Sequence, residues 1–251
     1  MKRPLFCFLF VLAAAVRGQS QNPVVVVNGA SFRTDQPVAA GSWASAFGTF
    51  ANVGESQASS LPLPKSLGGV SIAVDGVAAA INYVSSTQIN FLIPYQIAAG
   101  LRPVVITTPS AALHGTVRVI TAAPGLFKKD TADPPGGAIL NQDNSENGSL
   151  RPAIRGQAIS IYATGHSALA QSIPDGAAAP ANPPATTQAT PQVFIGGVES
   201  QVTFSGLAPG FAGLWQINVV VPNLSFLSGR LPVQVFLNGV DSNEVTVYVA
   251  Q

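Results

Sequence analysis

The feature that most constrains this chain is a succession of short apolar runs, none of which lengthens into a helix. Examples are Gly69-Val70-Ser71-Ile72-Ala73-Val74, Gln88-Ile89-Asn90-Phe91-Leu92-Ile93, Pro103-Val104-Val105-Ile106-Thr107 and Val117-Arg118-Val119-Ile120. Later come Gln192-Val193-Phe194-Ile195, Gln216-Ile217-Asn218-Val219-Val220-Val221, Val233-Gln234-Val235-Phe236 and Val245-Thr246-Val247-Tyr248-Val249. Each alternates or stays apolar briefly and then stops at Gly, Pro, Asn or Asp. Side chains on a strand alternate with period two, so this pattern predicts half-buried strands of a sandwich. The 24 glycines and 20 prolines suit tight turns between them, whereas a helical chain would carry more Leu, Glu and Lys. The expected class is all-β.

The chain also repeats itself. Gly41-Ser42-Trp43-Ala44-Ser45-Ala46-Phe47-Gly48-Thr49 aligns with Gly156-Gln157-Ala158-Ile159-Ser160-Ile161-Tyr162-Ala163-Thr164, an offset of 115. Val74-Asp75-Gly76-Val77 matches Ile195-Gly196-Gly197-Val198 at 121, and Gln88-Ile89-Asn90 with Pro94 matches Gln216-Ile217-Asn218 with Pro222 at 128. Three blocks in one order, with drifting offsets, indicate a duplication interrupted by small loop insertions. Each copy has about a hundred residues, the size of an immunoglobulin-like sandwich. The expected division is sandwich one at 22–128, a linker at 129–136 made polar and stiff by Lys129, Asp130, Asp133, Pro134 and Pro135, and sandwich two at 137–251. Residues 174–191, rich in Pro, Ala and Thr, read as a long loop of the second sandwich.

Residues 1–18 read as a secretory signal peptide: Lys2 and Arg3, an apolar run from Leu5 to Val16, then small residues. Cleavage fits after Ala15 or after Gly18. The run is short for a membrane span, which needs roughly 20 apolar residues. Cys7, the only cysteine, lies inside it, so the mature chain is expected to hold no disulfide and to be stabilised by packing. No later segment reads as transmembrane, and the expected location is secreted or cell-surface associated. Without residues 1–18, nine basic side chains face eleven acidic ones, a net charge of −2. Such a chain has no basic stripe to neutralise phosphates, which argues against nucleic acid as a partner.

Taken together, the blocks resemble the IPT/TIG class of immunoglobulin-like domains. More closely, residues 26–251 resemble an uncharacterised domain family at the C-termini of secreted acidobacterial (Solibacter-type) proteins. The matching pieces are Val27-Asn28-Gly29-Ala30-Ser31-Phe32, Leu61-Pro62-Leu63-Pro64 with Leu67-Gly68-Gly69-Val70, and Tyr83 to Tyr95. They continue with Ala123-Pro124-Gly125-Leu126-Phe127, Tyr162-Ala163-Thr164-Gly165 and Gly206-Leu207-Ala208-Pro209-Gly210. The resemblance implies a fold and no activity.

Catalytic equipment is sparse. Gly165-His166-Ser167 is similar to a nucleophile elbow, but Leu169 occupies the place of its second glycine and no helix follows. A hydrolase would need a second histidine to serve Ser167, and His114 is the only one; a turn after a strand is the expected reading. Two histidines and no mature cysteine argue against zinc. Asp143-Asn144-Ser145-Glu146-Asn147 clusters oxygen donors but fails the EF-hand spacing and reads as a solvated turn. Asp75, Asp175, Glu199 and Asp241 are scattered and mark no glycosidase pair. Trp43 and Trp215 follow the strand pattern and are expected in the core. Asn147-Gly148-Ser149 and Asn223-Leu224-Ser225 fit the glycosylation pattern. The reading is a non-catalytic binding or structural module with no catalytic, cofactor or metal residues, binding an extracellular polysaccharide or protein. A hydrolase using Ser167 or a carboxylate and a passive spacer are the alternatives.

Overall fold

The structure, a computed structural model, describes residues 24–250. The signal-peptide segment and Cys7 lie outside the described residues. Every regular element among them is a strand, so the all-β expectation holds.

The first sandwich is one continuous ladder folded over itself. Ala80–Val84, Gln88–Leu92 and Trp43–Phe47 form one face; Ala112–Ile120, Gly100–Thr107 and Val70–Val74 form the other. Val24–Asn28 joins the faces, antiparallel to Trp43–Phe47 and parallel to Ala112–Ile120. The alternation seen in the sequence places one side of every strand inward. Ala44, Ala46, Ile81, Ile89 and Phe91 meet Ile72, Val74, Val104, Ile106 and Val119 in one buried cluster. The second sandwich packs Ala158–Thr164, Trp215–Val220 and Val202–Leu207 against Gln192–Ile195, Gly229–Leu237 and Val245–Val249. Its core includes Ile159, Ile161, Trp215, Ile217, Val233, Val235 and Val247.

The two are copies down to the register. Ser45 stands opposite Asn90 as Ser160 stands opposite Asn218, and Phe47 opposite Gln88 as Tyr162 opposite Gln216. A bulge interrupts the neighbouring strand just before Tyr83 in one copy and just before Phe204 in the other, each paired with that same Asn. In both, the glutamine Nε2 donates to the asparagine Oδ1 two residues on, at 2.8 Å. Asp75-Gly76 and Gly196-Gly197 form equivalent hairpin turns. Both central residues have positive φ (49° and 78°; 59° and 79°), the turn whose twist matches that of the strands. The first N–H of each turn donates to a strand proline carbonyl, Pro103 or Pro232, at 2.8 Å. The sequence offsets of 115, 121 and 128 therefore relate equivalent positions of one sandwich.

The junction differs from the linker expected at 129–136. Gly125–Leu126 already pairs with Ala158–Thr164 of the second sandwich, and so does Ile139–Leu140. Residues 129–136 form the turn between these two short strands, closed by Lys129 N–H to the Gly136 carbonyl at 2.9 Å. The chain crosses between sandwiches at 121–124, where Ala122 and Ala123 are fully buried. Polar composition marked an exposed turn; the true crossing is apolar because both sandwiches cover it.

Candidate functional site

That crossing is clamped from both sides. Asn28, ending the first strand, donates from Nδ2 to the Ala123 carbonyl at 2.9 Å, while its Oδ1 accepts the N–H groups of Ala30 and Ser31. Asn243 grips the far side, its amide bonding both N–H and carbonyl of Leu126. Trp43 N–H donates to Thr164 Oγ1 at 2.8 Å, joining the two equivalent sheets directly. From the long loop of the second sandwich, Asp175 accepts the Tyr95 N–H at 2.9 Å and pairs with Lys65 at 3.5 Å. The Gly176 carbonyl next to it accepts the Leu63 N–H at 2.8 Å. Leu63, Ala80 and Leu92 of the first sandwich bury themselves with Ala212 of the second.

His166 sits inside it, fully buried between the rings of Tyr95 and Trp215, one from each sandwich. Its Nδ1 donates to the Ser167 carbonyl at 2.6 Å, and Nε2 makes no hydrogen bond. Burial lowers its pKa from the ordinary imidazole value, outweighing the Ser167 and Gly41 carbonyls, which favour the protonated ring. The Tyr95 pKa is instead pushed upward, by burial first and the nearby Asp175 charge second. Ser167 is buried; its hydroxyl lies 3.5 Å from the Ala168 carbonyl and 3.4 Å from the Ala189 N–H, and has no imidazole partner. His114 is exposed on Ala112–Ile120 of the first sandwich. The elbow-like residues are therefore built into the junction, and among the described residues no base hydrogen-bonds the hydroxyl.

The other sequence candidates also resolve into local roles. Asp143 accepts the Ser145 N–H and hydroxyl at 2.9 and 2.6 Å, with Asn144 in the left-handed region, and these bonds hold its pKa below the usual carboxylate value. Asp75 pairs with Arg102 at 3.1 Å, and Glu199 accepts a bond from Gln192. Asn147 is buried, its amide bonded to Asn141 Oδ1 and the Tyr248 carbonyl, whereas Asn223 is exposed. Among the described residues, no three His, Cys, Asp or Glu side chains gather as a metal site, and no helix is long and apolar enough to cross a membrane.

Two clefts flank the junction. One, of about 530 Å³, runs past Tyr95, Ile97 and Ser167 to Ile173. The other, of about 540 Å³, is lined by Trp43, Ser59, Leu61, Asn82, Phe211 and Leu214. Trp43 and Asn82 also line an adjoining hollow of about 170 Å³ with Ser45, Asn90 and Phe127. These sizes lie in the roughly 300–1,000 Å³ range of small-ligand sites for the two larger spaces. The tryptophans part company here: Trp215 is fully buried with its Nε1 donating to Ser205 Oγ at 3.0 Å, while Trp43 is half-buried and walls the groove. Sequence pattern put both in the core. The signal that separates them is the phase of the alternation: Trp215 shares the strand face of Ile217 and Val219, whereas Trp43 shares that of Ser45 and Phe47, opposite the core residues Ala44 and Ala46.

No protein-family model and no curated protein matches the chain. Similar solved structures include the Bacteroides ovatus mixed-linkage glucan utilization locus SGBP-B in complex with a heptasaccharide, at 15% identity and a TM-score of 0.34. That alignment covers 85% of this chain and 42% of the other, so the chain spans under half of that protein. The titin I9–I11 tandem aligns at 10% identity and a TM-score of 0.24, covering 86% and 62%. Domains 5–6 of the S-layer protein SbsC align at 17% identity and a TM-score of 0.26, covering 92% and 98%. At such identities and scores these likenesses carry no functional argument.

Proposed function

We propose that this chain is a non-catalytic binding module of the cell exterior, with the groove at Trp43 as its ligand site. One observation carries the reading: two sandwiches are fastened by directed hydrogen bonds so that a pocket with aromatic walls is assembled from both. Rigid scaffolds of this kind present recognition surfaces without needing catalytic groups. The ligand class is an extracellular polysaccharide or protein; the scarcity of cations argues against nucleic acid. The signal-like start supports secretion, and the buried Ser167 with no adjacent base weighs against the hydrolase. A passive spacer is the second reading, favoured by the same stiff junction.

Depletion of the purified mature protein by insoluble polysaccharides, peptidoglycan and whole cells tests this. Saturable loss to one material is the expected result. No loss to any of them would overturn the binding reading and leave the spacer.

A further inference from the structure

The groove at Trp43 combines unpartnered donors, aromatic walls and no charge. Ser45 Oγ and Gln88 Nε2 both donate to Asn90 Oδ1, each at 2.8 Å. These two hydrogen bonds to one oxygen fix the amide's orientation, and the Asn90 Nδ2 donors are left with no partner among the described residues. The Asn82 carboxamide, on the bulge beside it, makes no side-chain hydrogen bond among the described residues; nor does the Trp43 indole N–H. None of the three is sealed from solvent. Phe211, more than half exposed, and Phe127 add two further rings. Among the described residues, no Asp, Glu, Lys, Arg or His lines either hollow.

Polar groups held without partners beside apolar rings suit a ligand that is itself both polar and apolar. A charged ligand would go uncompensated here, and an apolar one would strand the three donors. A pyranose ring meets both conditions: its hydroxyls accept from amides and indole, and its C–H face lies against the negative face of an aromatic ring. We infer that the Trp43 groove binds a segment of a neutral polysaccharide, with Trp43 and Phe211 as stacking platforms and Asn82 and Asn90 as hydroxyl-reading groups. This inference rests on the binding-module reading.

The repeat sharpens the assignment. The Gln–Asn bond and the bulge occur in both copies, so their basic role is structural. Only the first copy sets a tryptophan on the same face as that pair, because Ala158 stands at the place of Trp43 in the second, and Trp215 is turned into the core with Ile217.

Intrinsic fluorescence reads the site directly, since of the two tryptophans only Trp43 reaches solvent. The intact mature protein is titrated with soluble neutral glycans (β-glucan, xylan, mannan and α-glucan) and with anionic polygalacturonate as the contrast. The inference expects a saturable emission change with one neutral glycan and none with polygalacturonate. Trp43→Phe should abolish the change, and the exposed Phe211→Ala should weaken binding roughly ten-fold or more without altering the melting temperature. Asn82→Ala provides a second variant that keeps both rings. Glycan binding unaffected by Phe211→Ala and Asn82→Ala would overturn the groove while sparing the module reading. Failure to bind any neutral glycan, alongside saturable depletion by cells, would overturn the ligand class and also spare it. Failure of both assays would overturn the module reading itself.

Discussion

A Cβ placed on Gly165 would lie 1.7 Å from the carbonyl oxygen of Ala123. The residue that follows the strand Ala158–Thr164 of the second sandwich therefore rests on the backbone that joins the two sandwiches. The contact is reinforced by the Ala123 N–H, which donates to the Gly165 carbonyl at 2.8 Å. Gly165 also has φ near +80°, a conformation that costs other residues about 1–2 kcal/mol.

Gly165→Ala should accordingly lose both terms, the backbone conformation and the close approach. A cost of roughly 3–5 kcal/mol is expected, since the obstructing atom is main chain and cannot rotate away. Gly210→Ala is the matched control, with φ near +82° and nothing within 4 Å of its added Cβ. It should cost only about 1–2 kcal/mol. Chemical denaturation of both variants checks this; equal costs would mean that the junction does not need the close approach.

His166 makes stability depend on pH. Its folded-state pKa is lowered by burial, so the unfolded chain takes up a proton first as pH falls. The contribution is complete above the unfolded value, about 6.5, and is lost as pH drops toward the folded value. The slope cannot exceed about 1.4 kcal/mol per pH unit for one proton. His166→Phe should flatten the melting temperature between pH 7 and pH 5. Asp35, Asp130 and Asp143, whose pKa values are held down by hydrogen bonds, act in a separate window below about 4. A slope unchanged in His166→Phe would place the titrating group elsewhere.

The sandwiches were legible because strand alternation is a local property. Val104 and Ile106, or Val233 and Val235, point inward whatever lies beyond their sheet. The duplication was legible for the same reason, and its blocks hold equivalent register positions. The junction was not. Ala122 to Pro124 carries no linker signature because it is covered, and 129–136 carries one only because it is an exposed turn. His166 reads in the sequence as part of an elbow-like turn and Asp175 as a scattered acid, because their partners, Tyr95 and Lys65, lie in the other copy, far away in sequence. Trp43 and Trp215 both depart from the repeat, aligning with Ala158 and Thr87, and are told apart by the phase of the alternation, which puts Trp215 with Ile217 and Trp43 with Ser45.

Ser45 and Ser160 test how much equivalent positions have diverged in energy. Ser45 Oγ donates to Asn90 Oδ1 from a fully buried position, while Ser160 Oγ makes no hydrogen bond among the described residues. Ser45→Ala should cost about 1–2 kcal/mol, because it removes a hydrogen bond and loosens the Asn90 amide. Ser160→Ala should stay within about 0.5 kcal/mol, as expected of a partly exposed hydroxyl with no partner. Urea denaturation of the two variants gives the comparison, and a larger loss at Ser160 would contradict it.

Asp175 offers the most direct handle on how firmly the sandwiches are joined. Two interactions meet on its carboxylate: the Tyr95 N–H at 2.9 Å and the Lys65 ammonium at 3.5 Å. The ammonium is largely solvated, its side chain 42% exposed, so solvent screens the pair and its worth is about 0–1 kcal/mol. The backbone N–H is the stronger partner, because losing an acceptor leaves a part-buried donor unmatched at about 1–3 kcal/mol. Asp175→Ala should therefore cost about 1–3 kcal/mol and broaden the inter-sandwich distance distribution between spin labels placed one on each copy. Asp175→Asn keeps an oxygen for the Tyr95 N–H and should recover most of both losses. If the asparagine variant instead behaved like the alanine variant, the Lys65 charge pair would be the dominant tie. Raising ionic strength would then weaken the wild-type junction as well, an effect the backbone hydrogen bond alone does not produce.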